Sequence, residues 1–161
     1  MFAKTSKALA RMNELFKERQ IIKKYWAISK NKPPAAEGTL THFLIKDSSK
    51  NKSTAYDIEK KGTQKAVLDY KVIANSDSFC MLEINLHTGR HHQIRAQLAT
   101  LNCIIKGDVK YGYQRANEDG SINLHAIYAA FIHPVSKEKI EIIAPLPEEK
   151  TWRLFSHVKY K

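Results

Sequence analysis

The chain is poor in cysteine, poor in acid and free of long apolar runs. Its two cysteines, Cys80 and Cys103, form no CxxC pair and supply no disulfide framework. They read as reduced core thiols of a cytoplasmic protein. No apolar stretch is long enough to span a membrane, and Met1-Phe2-Ala3-Lys4 lacks the layout of a signal peptide. The expectation is a soluble cytoplasmic chain with no membrane partner. Only 16 Asp and Glu stand against 27 Lys and Arg, a net charge of +11. Such a surface attracts polyanions through counterion release, nucleic acid first among them. A basic protein with only non-specific nucleic-acid affinity shows the same balance. The 161 residues contain no internal repeat and no second domain, and a hydrophobic content of 43% fits one globular domain over 1–161.

What is present alternates between strand and turn. Apolar spacing predicts a helix from Ser6 to about Gln20, capped by Ser6, with Ala8, Leu9, Met12, Leu15 and Phe16 in one stripe. Its other face carries Lys7, Arg11, Lys17 and Arg19, either solvated or gripping phosphates. Ile21 to Ser29 reads as a strand, and Asn31 to Ala36 as a loop. Gly38 to Ile45 is a second strand. The lysine-rich Lys46 to Lys65 is expected as a mobile hairpin or loop, solvated or touching RNA. Ala66 to Ala74 and Ser78 to His87 follow as strands around Asn75-Ser76-Asp77. Ile122 to His133 and Lys139 to Ala144 pair around Pro134-Val135-Ser136-Lys137, and the tail, with Trp152, Leu154 and Phe155, packs on the sheet as a short helix. Strands joined mostly by turns imply an α+β domain around a mainly antiparallel, mixed sheet with a few flanking helices.

One corner is organised differently. The strand ending at Leu86 runs into Thr88-Gly89 and then a short helix. Gly89 permits a sharp reversal or an unusual backbone angle. The first helical turn leaves N–H groups unpaired and suits an anion. Arg90, His91, His92, Gln93 and Arg95 crowd it with donors, while Ile94, Leu98 and Leu101 fall at core-facing spacing. Arg95 follows His92 by three positions and His91 by four, so these side chains are neighbours. His87, His91, His92 and His125 form no metal signature. The Thr-Gly turn breaks the helix between His87 and His91, and no Glu lies between them. No metal is expected.

Thr88-Gly89-Arg90-x-His92-Gln93-Ile94-Arg95, followed by Ile105-x-Gly107-Asp108-x-x-Tyr111-Gly112, resembles the third motif of the RluA-type pseudouridine synthases. The resemblance continues in Lys23-Lys24-Tyr25-x-Ala27, Leu124-His125-Ala126, His133-Pro134 and Ala144-Pro145, in the family's order. Leu101-Asn102-Cys103-Ile104-Ile105 departs from the Gly-x-Pro-Ile of many members, a local difference. The resemblance implies an incomplete pseudouridine synthase-like catalytic domain that uses no cofactor and no metal. Such enzymes isomerise uridine to pseudouridine in ribosomal or transfer RNA, on a nucleotide flipped from its stack. It also implies that Tyr25 contacts the base and that Arg95 orients a catalytic aspartate. Thr88, Arg90, His92 and Gln93 either hold the nucleotide or fix the turn. The aspartate of the family's HRLD-type motif is absent, and Phe2 to Ala8 resembles the segment that follows it, as in a truncated chain. Asp108 is expected to serve its turn. The enzyme reading therefore stands beside a second one, a catalytically silent RNA-binding module.

Overall fold

The computed structural model describes residues 2–18 and 20–160. Its elements are α1 (Ser6–Lys17), β1 (Ile22–Ser29), β2 (Glu37–Asp47), β3 (Lys52–Tyr56), β4 (Gln64–Asn75), β5 (Cys80–Leu86), α2 (Gln93–Thr100), a 3-10 turn (Val109–Tyr111), β6 (Leu124–Ile132), β7 (Lys139–Ile143) and α3 (Lys150–Arg153). The strands form one sheet in the order β3-β2-β4-β5-β1-β6-β7. Every pairing is antiparallel, so the α+β class holds while the mixed character does not. Consecutive strands are joined mostly by turns, which is why no parallel crossover arises.

Side chains alternate across the sheet and divide the core in two. On one face Ala27, Leu68, Leu82 and Ile84 pack with Ile94 and Leu98 of α2, beside Cys80, Cys103 and Ile105. On the other, Trp26, Ile28, Met81 and Ile127 lie under Trp152 and Phe155. Both cysteines are free and buried, and the Cys103 thiol is pushed up to about 11, chiefly by burial. Leu154, expected in the tail's packing, is instead half exposed, because Trp152 and Phe155 are three apart and turn it outward.

The first helix stops at Lys17 rather than Gln20, and its cap is Thr5 rather than Ser6: Thr5 is extended, and its Oγ1 accepts from the Ala8 N–H at 3.1 Å. Of the expected apolar stripe only Leu15 is buried, while Leu9 and Phe16 are 52% and 45% exposed. Arg19 lies outside the described residues. Of the hairpin and the loop expected for the lysine-rich stretch, the hairpin is what forms, with β3 paired along β2. Its turn is closed by Asp47, whose Oδ1 accepts from the N–H groups of Ser49 and Lys50, and by Asn51 at φ 45°. Short polar side chains that bind their own backbone favour such turns, a local signal hidden by the lysines around it.

A closed ring of side chains fastens the C-terminal segment to the body. Lys106 Nζ donates to Asn117 (2.7 Å) and Glu149 (3.3 Å), Asn117 donates to Asn123 (2.8 Å), and Asn123 donates to Glu149 (2.8 Å). Glu149 also caps α3 by accepting from the Thr151 N–H at 3.0 Å. Gly107 sits under this ring at φ +85°, where an added Cβ would lie 2.8 Å from the Asn117 side chain and the Ser121 carbonyl. Gly107→Ala is therefore expected to destabilise the fold by at least about 1–3 kcal/mol from backbone strain alone. A urea titration that leaves the unfolding midpoint unmoved would contradict this account.

Candidate active site

The end of β5 is tied to β4 before α2 begins. Thr88 Oγ1 accepts from the Val67 N–H at 2.8 Å and donates to Gln93 Oε1 at 2.8 Å. The same oxygen of Gln93 accepts from the Arg90 N–H at 2.9 Å, and its Nε2 donates to the Val67 carbonyl at 3.0 Å. Gln93 is 2% exposed, so its amide is consumed in building the corner. Of the two roles expected for Thr88 and Gln93, these bonds supply the turn-fixing one. Arg90 Nε donates to the Lys65 carbonyl at 3.1 Å, which leans its side chain along β4. The left-handed residue of the corner is His92, at φ 51°, not Gly89, whose backbone is ordinary and whose Cβ would meet nothing within 4 Å.

Arg95, one position after Ile94 on α2, reaches toward the Gly107-Asp108 turn. Its Nε donates to Asp108 Oδ2 at 2.7 Å and its Nη2 to Oδ1 at 2.6 Å. A planar guanidinium and a carboxylate form two parallel bonds of this kind when both are held rigidly. The Asp108 side chain is fully buried and that of Arg95 is 17% exposed. Asp108 thus does more than turn the chain, because it neutralises the arginine. The sequence reading had set Arg95 against a carboxylate the chain lacks, yet the guanidinium finds one within it. Thirteen residues separate the partners, beyond any helical spacing rule, so only the folded Gly107-Asp108 turn reveals the pair.

The rest of the guanidinium is also framed. Arg95 Nη1 lies 2.9 Å from His92 Nε2, and its carbon sits 4.9 Å from the centroid of the Tyr111 ring. His92 Nδ1 lies 3.2 Å from Tyr111 Oη, which accepts from the Ser53 N–H (2.8 Å) and donates to the Ser53 carbonyl (3.1 Å). This network assigns the proton of neutral His92 to Nδ1, leaving Nε2 to accept from Arg95. Burial and then the Arg95 charge push His92 down to about 4. His91 stacks on His92 at 3.9 Å between ring centroids, with its Nδ1 3.0 Å from Ser53 Oγ. Tyr111 was marked in the sequence only as a position of the family's motif, and Ser53 by nothing, since a serine in a lysine-rich stretch has no pattern to single it out.

Tyr25 lies on β1 opposite Ile84 and Ala126, just after a bulge at Lys24/Tyr25. Its side chain packs against the core on the α2 face. Burial raises its hydroxyl above the ordinary tyrosine value, so it stays protonated at neutral pH. The four histidines do not converge: His87 pairs with Asp69, and His125 packs against Trp152 at 5.8 Å between centroids. Among the described residues, no group of three or more His, Cys, Asp or Glu is placed to hold a metal.

An antiparallel α+β sheet bearing a donor-rich strand-to-helix corner, on a chain of net charge +11, presents the kind of surface that attracts polyanions. Its similarities to known proteins give its family. Residues 1–100 match the RNA pseudouridylate synthase family. An uncharacterized RNA pseudouridine synthase of Chlorobaculum parvum is 32% identical over 167 residues, spanning 92% of this chain and 51% of that protein. A Buchnera aphidicola protein named ribosomal large subunit pseudouridine synthase C is 31% identical, over 91% of this chain and 48% of its own length. A solved structure, human RNA pseudouridylate synthase domain containing 4, superposes with a TM-score of 0.73 at 24% identity, over 89% of this chain and 65% of that one, a likeness of fold. The chain belongs to the RNA pseudouridylate synthase family, as its RluA-type motifs implied. It spans about half the length of these two curated relatives.

Two outcomes test the corner. Asp108→Ala strands the Arg95 charge in a largely buried setting and should cost about 3–5 kcal/mol, whereas the double change Arg95→Met, Asp108→Leu should recover much of that loss. A denaturant double-mutant cycle measures the difference. For His92, the folded value near 4 lies below the ordinary 6.5, so the unfolded chain takes the proton first as pH falls. Its contribution to stability is complete above about pH 6.5 and is lost between there and pH 4. A His92 ring titration by NMR with a midpoint near 6.5 would refute the desolvated corner.

Proposed function

We propose that the chain carries the arginine and tyrosine side of an RNA pseudouridine synthase active site, in the cytoplasm, and that these 161 residues alone bind RNA without isomerising uridine. Family membership supports the RNA half, and the state of Asp108 carries the other. Isomerisation detaches the base from its ribose, rotates it and rejoins it through carbon. That chemistry uses a carboxylate free to reach the flipped nucleotide. The carboxylate at the corner is buried, with both oxygens engaged by Arg95. It has no lone pair aimed at solvent and no path to a sugar carbon. Tyr25, protonated and half-buried, suits stacking or packing against a base rather than proton abstraction. The site residues proposed are Arg95 and Tyr25, with Arg90 and His92 toward the nucleotide and Thr88 and Gln93 holding the corner. Ribosomal RNA is the substrate suggested by the name of the Buchnera relative, with transfer RNA as the other class.

The test uses RNA labelled with tritium at uridine C5, because forming the new C5 bond expels that hydrogen. The isolated chain is expected to bind this RNA with a steep salt dependence and to release no label. Label release would overturn the silent half, and absence of binding at low salt would overturn the RNA half.

A further inference from the structure

Beside the corner, on the side of the β2–β3 hairpin, lysines gather without an ion-pair partner among the described residues. Lys46 stands directly opposite Ser53 in the β2–β3 register, so both side chains leave the same face of the hairpin. That face is where Ser53 Oγ meets His91, donating to its carbonyl at 2.7 Å. Lys52 Nζ lies 5.0 Å from the centroid of the Tyr111 ring, and Lys110 Nζ reaches back to the Asn51 carbonyl at 3.1 Å. These contacts bring together cations from β2, β3 and the 3-10 turn. The charges of Lys46, Lys110 and Arg95 are all close enough to disfavour protonation of His91, whose value is lowered first by burial and then by them.

Of the acidic groups nearby, Asp108 pairs with Arg95, and Asp47, the cross-strand neighbour of Lys52, turns Oδ1 to the N–H groups of Ser49 and Lys50. Among the described residues, Lys46, Lys52 and Lys110 have no carboxylate within ion-pair distance. Lysines held near one another without counter-charge repel, and an anion placed between them relieves that repulsion. Lys46 and Lys110 are exposed and Lys52 half so, leaving their ammonium groups free to reach a ligand.

From this placement we infer that Lys46, Lys52 and Lys110, over the stacked His91 and His92, form a phosphate-binding clamp. It takes the backbone of the RNA strand flanking the nucleotide presented to Arg95. The inference rests on the RNA reading above and adds a place to it. Backbone phosphates fix the register of a strand on a protein without reading its bases. The clamp would therefore set which nucleotide faces the corner, and the ordered hairpin makes the spacing fixed. His91, kept neutral beside the cations with its Nδ1–H turned to Ser53 Oγ, offers a ring face without adding to their repulsion.

The experiment measures binding of the full chain to a fluorescent oligouridylate across a salt series. Comparison variants are Lys46→Gln/Lys52→Gln/Lys110→Gln and, as a charge-matched control on the first helix, Lys7→Gln/Arg11→Gln/Lys17→Gln. Each phosphate contact contributes about 0.7 to the slope of log affinity against log salt for a single strand. Removing the clamp should lower the slope by about two, while the helix control, which removes the same charge, should lower it by less than one. Glutamine keeps much of the aliphatic stem. Lys46→Gln alone, which removes no side-chain bond to the described residues, should lower the slope by about 0.7 even if the triple variant unfolds. Equal slopes for the two triple variants would overturn the clamp in favour of diffuse charge, as would an unchanged slope in Lys46→Gln. Inorganic tripolyphosphate displacing the oligouridylate at equal charge concentration would reassign the site to small polyphosphates. Failure of the unaltered chain to bind would instead defeat the RNA reading itself.

Discussion

The double hydrogen bond between Arg95 and Asp108 is the constraint from which the corner follows. A guanidinium cannot shed its proton, so a largely buried one must be matched by a carboxylate or left at great cost. Asp108 makes that match only because Gly107, at φ +85°, turns the chain where a side chain would strike Asn117. Asn117 is held by Lys106 and Asn123, and through Glu149 the same ring carries the start of the last helix. The position of one charge at the corner is thereby connected to how the C-terminal segment is fastened on the far side of the turn.

The same pair underlies the proposal that these residues bind RNA without isomerising uridine. Pseudouridine synthesis calls for a carboxylate that is ionised, oriented and uncovered. In Asp108 the first two conditions are met by the bonds that defeat the third. The arginine corner is thus a complete electrostatic unit before any other carboxylate approaches, with Nη1 alone turned to a neutral acceptor, His92 Nε2. His92 can hold that place because burial and the neighbouring positive charge keep it unprotonated.

The strand pattern, the turn at Asn75-Ser76-Asp77 and the helix of Ile94 and Leu98 were legible in the sequence, because alternation and 3.6-residue spacing report which side is buried. Arg95 and Tyr25 were legible as motif positions. The partnership of Arg95 with Asp108 was not, since it joins a helix to a turn across thirteen residues. Nor was the contribution of Ser53, which is set by where an edge strand docks. The lysines left hairpin and loop both open, because the residue that decides between them, Asp47, acts locally on the N–H groups of Ser49 and Lys50. The apolar stripe of the first helix misled in the opposite way. Its spacing is amphipathic, yet Leu9 and Phe16 remain in water, as hydrophobic spacing states what a helix could cover rather than what lies beneath it.

The hydroxyl of Tyr111 also has a bearing on how molecules of this kind meet. β3 is the last strand on its side of the sheet, and there the Ser53 N–H and carbonyl are both taken by that single hydroxyl. An extended chain arriving to lengthen the sheet would find the Ser53 rung already filled, with Lys52 beside it. The residue that braces His92 at the corner thus also closes the exposed edge of the sheet, so that a change at this tyrosine would bear on solubility as well as on the corner's geometry.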